Sequence, residues 1–145
     1  MSKFAKKKDK LHYAISDIIE VLRDTYSMPI DCFDTHSIHK PSVGDLCVGF
    51  GGYNTLFEIK NSPRDKLSQG EADFSKRWIG IGQITVVWDF KQILERLKFT
   101  KGMTTSDHEY LDIMIVLYKD EILPNWKHYN IRFDKEWIEE FYKGE

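Results

Sequence analysis

Residues 44–61 read GDLCVGFGGYNTLFEIKN, and the Gly51-Gly52 pair at their centre decides how the rest of the chain is read. On either side lie runs suited to strands, Asp45–Phe50 and Tyr53–Lys60. Two glycines between such runs predict a two-residue hairpin, because that turn needs positive φ at its centre. Counting outward from the turn, Phe50 faces Tyr53 and Asp45 falls directly opposite Glu58. Side chains alternate along a strand, so Asp45, Glu58 and Lys60 share one face. Leu46, Val48, Phe50, Tyr53, Phe57 and Ile59 occupy the other, which reads as the core face. The apolar pattern therefore sets the register independently of the turn. A slip by one residue would exchange the two faces.

Opposed carboxylates at roughly 5 Å repel, and they call for a cation or a shared proton. Paired oxygen donors with room for water suit Mg²⁺ or Mn²⁺, which keep several waters and accept phosphate oxygens. Lys60, two residues beyond Glu58, adds a positive charge that can orient a water or stabilise a phosphoryl transition state. A lone Glu-x-Lys is commonplace and reads equally well as a surface ion pair. The joint pattern of Gly-Asp, hairpin and Glu-Ile-Lys in matching register is more specific.

Outward from the hairpin, Leu11, Ala14, Ile15, Ile18, Ile19 and Leu22 recur at helical spacing, predicting a helix over 9–26 that Pro29 stops. A short strand is expected over 30–37 and a loop over 37–44. After the hairpin, Ser68 with Glu71 can cap a helix reaching Trp78. Gln83–Trp88 reads as a buried strand and Phe90–Leu97 as a helix. This order predicts an α/β fold with a mixed sheet flanked by helices over residues 1–100. Residues 101–145 read as a mostly helical extension packed on that core, with helices over 107–122 and 135–142 and a strand over 128–133.

Composition narrows the class. The chain has 145 residues, enough for one domain with a real core. Its apolar runs are too short to span a bilayer, so no membrane association is expected. Cys32 and Cys47 lack metal-ligand spacing and read as free thiols, which with the absence of a secretion signal points to a cytoplasmic protein. The net charge of -2 divides unevenly, with +2 over residues 1–100 and -4 over 101–145. Lys3, Lys6, Lys7, Lys8 and Lys10 make the N-terminus basic, either as a solvated tail or as phosphate contacts to DNA.

The runs GDLCVGFGGYNTLFEIKN and KLSQGEADFSKRW resemble the PD-(D/E)XK nuclease superfamily, and most of all the small stand-alone VRR-NUC-type nucleases common in phages. The resemblance covers residues 9–88 and implies a restriction-endonuclease-like αβββαβ core. It implies a Mg²⁺-dependent DNA endonuclease, with Mn²⁺ as a substitute and no organic cofactor, acting on branched or otherwise structured DNA. Asp45, Glu58 and Lys60 would be catalytic, and Asp45, Glu58 and the Ile59 carbonyl would hold the metal. Asp17 on the first helix would assist, with Glu20, Glu71 and Gln83 as auxiliary residues. A homodimer is compatible with it, and so is a phage protein working in a bacterial cytoplasm. A Holliday-junction-resolvase-like enzyme would use the same motif. An inactive relative that binds nucleic acid or a host protein is the rival from another class. Gly44 stands where the family pattern has proline before the Asp.

Overall fold

The long first helix shows how this chain builds its core. In the computed structural model α1 spans Lys3–Asp24, beginning earlier than the apolar pattern alone predicts, so the lysine-rich segment is helical. Leu11, Ala14, Ile15, Ile18, Ile19 and Leu22 form its buried stripe. The helix ends on a left-handed Ser27 (φ 56°), and the Met28 N–H donates to the Leu22 carbonyl at 2.9 Å. This six-residue closure satisfies a carbonyl that the helix end would leave open. The structure describes residues 3–35, 45–60, 69–78 and 85–132; for 3–10, 70, 74, 75, 77 and 78 it describes the backbone alone.

Four strands form one sheet in the order β1 (Ile30–Asp34), β2 (Leu46–Phe50), β3 (Tyr53–Ile59) and β4 (Thr85–Val87). β1 pairs antiparallel with β2, and β2 with β3, whereas β3 and β4 are parallel. A parallel pair needs a crossover, and α2 (Gln69–Trp78) lies in that connection. Gly51 and Gly52 have φ of 60° and 83°, the double positive φ of the expected tight hairpin. Phe50 pairs with Tyr53 and Leu46 with Phe57, the register that the sequence pattern requires.

Leu46, Val48, Phe50, Phe57 and Ile59 are buried against the α1 side of the sheet. After β4, Asp89 caps α3 (Phe90–Leu97) through a reciprocal capping box with Gln92. Thr104 does the same for α4 (Thr105–Val116) with Asp107. A six-residue π-helical stretch, Leu117–Ile122, follows. Leu111, Met114, Tyr118, Ile122 and Ile131 join the same apolar cluster as α1 and the sheet, so residues 101–132 share the core. Tyr118 meets Phe90 edge-on at 5.1 Å between ring centroids.

Three expectations change. β1 stops at Asp34 instead of running to residue 37. Residues 128–130 are turn, not strand: the Ile131 N–H donates to the Trp126 carbonyl and Asn130 is left-handed at φ 56°, which breaks an extended run. The helix expected over 107–122 begins at Thr105 and turns π-helical from Leu117. Gln83, the loop over 37–44 and the helix expected over 135–142 lie outside the described residues. Among the described residues no helix is long and apolar enough to cross a membrane.

Candidate active site

Asp45 stands one step before β2 and is held from three directions. Its N–H donates to the Phe57 carbonyl at 2.9 Å, and its carbonyl accepts from the Thr35 N–H at 3.1 Å. Its Oδ2 accepts from the Ile59 N–H at 2.8 Å, a buried bond. Continuing the β2–β3 register by one residue sets Asp45 opposite Glu58, as the hairpin pattern predicts. A backbone N–H thus directs the Asp45 carboxylate across to the strand that carries Glu58 and Lys60.

The polar face of the hairpin is not a solvent face. Asp45 is 4 % exposed, Glu58 3 % and Lys60 9 %. Burial of an exposed-type charge is costly unless a partner meets it, and α2 supplies one. Lys60 Nζ donates to Glu71 Oε1 at 2.8 Å and lies 3.7 Å from Glu58 Oε1. Burial alone would lower the Lys60 pKa. The Glu71 hydrogen bond, with the charges of Glu71, Glu58 and Asp45, outweighs it and raises the pKa above the ordinary lysine value. Lys60 is therefore an ammonium at neutral pH. It can orient a water or balance phosphate charge, but it is no acceptor for a proton.

Three carboxylates against one ammonium leave these four side chains with a formal charge of -2. Hard carboxylate oxygens are the donors that Mg²⁺ and Mn²⁺ prefer. Asp45 and Glu58, opposed in the continued register, both bring such oxygens, and the Ile59 carbonyl follows Glu58 on the same strand. Among the described residues no group of three or more His, Cys, Asp or Glu side chains is placed to hold a metal by itself. Water and substrate oxygens would complete the coordination, as is usual for Mg²⁺.

The remaining candidates are dispersed. Asp17 is engaged elsewhere: Arg132 donates to it through its backbone N–H (2.8 Å), Nε (2.9 Å) and Nη2 (2.7 Å). Glu20 is exposed and adds its charge to the field at Arg132. Gln83 and the side chains of Lys3, Lys6, Lys7, Lys8 and Lys10 fall outside what the structure describes. Sequence reasoning overlooked His12, which is buried on α1 with Nε2 3.5 Å from Asp34 Oδ2. Its signal was legible, as an ionisable residue in line with Ile15 and Ile19 on the apolar stripe.

Compared with family models, with curated proteins and with solved structures, the chain matches none.

Proposed function

We propose that this chain is a metal-dependent phosphodiesterase that cleaves DNA, with Asp45, Glu58 and Lys60 at its centre and Glu71 holding Lys60. One observation carries the reading: two carboxylates and a charged lysine are buried together on one sheet face, with Glu71 of α2 bonded to the lysine. Buried ion pairs seldom stabilise a fold more than apolar residues of the same size would. A buried cluster of carboxylates and an ammonium is therefore better suited to a reaction than to stability.

Asp45 and Glu58 would hold Mg²⁺ together with the Ile59 carbonyl. When bound, the ion supplies a Lewis acid for a phosphate oxygen and lowers the pKa of a bound water. Lys60, already cationic, orients the attacking water and meets charge developing on the phosphoryl oxygens. Glu71 restrains the Lys60 ammonium, whose long side chain would otherwise sample several rotamers. Asp45 is fixed through Oδ2, which accepts from the Ile59 N–H.

The test is cleavage of supercoiled plasmid, and of branched and single-stranded oligonucleotides, with Mg²⁺, Mn²⁺ or EDTA. Nicking or cutting that needs the metal and disappears in Glu58→Gln is the expected result. Metal-independent cleavage, or activity unchanged in Glu58→Gln, overturns the assignment. A protein that binds DNA without cutting any of these substrates would be an inactive relative.

A further inference from the structure

His12 and Asp34 sit where β1 meets the site. The pairs His12–Asp34 (3.5 Å) and Arg23–Asp31 (2.7 Å) show that α1 and β1 run antiparallel, with His12 at the far end of β1. That end is the one beside Asp45, because Asp34 pairs with Leu46 and the next residue, Thr35, donates its N–H to the Asp45 carbonyl at 3.1 Å. His12 and Thr35 are each 3 % exposed, whereas the Asp34 side chain is 47 % exposed. An open surface carboxylate thus lies 3.5 Å from a buried imidazole, an ion pair when that ring is protonated, one residue from a backbone bond to Asp45.

We propose that His12 is a positioning residue for the Asp45 carboxylate, acting through Asp34 and the Thr35–Asp45 backbone bond. The Thr35–Asp45 rung lies one residue beyond the Asp34–Leu46 pair, so a contact that holds Asp34 also acts on it. Asp34 held by His12 restrains that rung. Thr35 then keeps the Asp45 backbone against β1 while the Ile59 N–H holds its Oδ2 from β3. If the Thr35 side loosens, the carboxylate turns relative to Glu58, and a displacement near 1 Å is enough to impair a reacting geometry. The proposal rests on the reading of Asp45 as a site residue, and its main readout needs neither metal nor activity.

The experiment follows backbone amide exchange by NMR in the metal-free full chain, for wild type, His12→Leu and Asp34→Asn. Val21→Ala, a buried change near the opposite end of α1, is the control for general loss of stability. The Thr35 amide reports the relay, and the Ile59 amide reports where the Asp45 carboxylate lies. Both should exchange severalfold faster in His12→Leu and in Asp34→Asn, with Val48 and Phe50 unchanged. Val21→Ala should not single out these two amides. Mn²⁺ affinity should fall about tenfold in both site variants, the low end of what loss of a ligand-orienting partner costs. Thr35 and Ile59 protection unchanged in Asp34→Asn overturns the proposal, and this exposed substitution does not threaten folding. Faster exchange with unaltered Mn²⁺ affinity overturns it too. Should wild type bind no Mn²⁺, the metal reading of the site falls, and the two amides alone decide the relay.

Discussion

Lys60 is more enclosed than the surface ion-pair reading of its Glu-x-Lys motif would place it. At a strand end it looks like a removable polar group, yet it is nearly enclosed and bonded to Glu71. Lys60→Ala should abolish cleavage and also destabilise the fold by about 3 kcal/mol, because three carboxylates lose their common cation. Urea unfolding checks this, and an unchanged midpoint would show that the acids are neutralised by other means. The raised Lys60 pKa fixes the sign of the pH effect. Its stabilisation is complete below the unfolded lysine pKa, near 10.4, and is lost as pH climbs through the higher folded value. Wild type should therefore lose stability in alkali more steeply than Lys60→Met. Asp45 offers a cleaner probe of the metal. Asn keeps an oxygen to accept the Ile59 N–H, so Asp45→Asn should melt no lower than wild type in EDTA. Adding Mn²⁺ at a hundred times its dissociation constant should stabilise wild type by roughly 2.7 kcal/mol, and the variant far less. Equal shifts in the two proteins would move the ion away from Asp45.

At the scale of elements, the hairpin and helix ends show where local chemistry dominates. Gly51 and Gly52 take the two positive φ angles of the turn, and the alternating apolar residues then admit a single register. The end of α1 is less comfortable, since Ser27 takes the position that glycine fills more readily. A left-handed residue bearing a Cβ costs roughly 1–2 kcal/mol. Ser27→Gly should recover part of this, about 1 kcal/mol after allowing for glycine's greater freedom in the unfolded chain. Thermal melting would read it as a rise of a few degrees. A fall instead would mean that the Ser27 side chain contributes more than its backbone conformation costs.

For the whole molecule, the decisive contact joins residues 115 positions apart. Arg132 closes on Asp17 with three hydrogen bonds and lies over the Tyr13 ring at 4.5 Å, fastening the C-terminal part of the described chain to the first helix. Tyr129 adds a second point, its hydroxyl 2.6 Å from that of Tyr26. The hydrogen bond with Tyr129, together with burial, pushes the Tyr26 pKa up to about 12. A double-mutant cycle on Asp17→Asn and Arg132→Gln should give a coupling of about 1 kcal/mol, modest because Arg132 is well exposed. Asp17→Asn should leave the Mn²⁺-induced melting shift intact, in contrast to Asp45→Asn. Loss of the shift in Asp17→Asn would return that residue to the metal site.

The sequence by itself determined the hairpin, its register, the shared face of Asp45, Glu58 and Lys60, and the bounds of α3. These depend on period-two and helical alternation and on turn glycines, all of which act between near neighbours in the chain. The π-helical stretch after Val116 and the turn over 128–130 were not legible, because Leu117, Tyr118 and Ile122 suit an ordinary helix equally well and the left-handed Asn130 leaves no mark on an apolar pattern. Tertiary structure alone decided that the carboxylate face is buried, since α2 brings Glu71 over it from beyond the hairpin. It also decided that Asp17 belongs to Arg132 and that His12 reaches Asp34. Each of these is a pairing of charges between distant segments, and periodicity in a single segment carries no information about which distant charge will meet it.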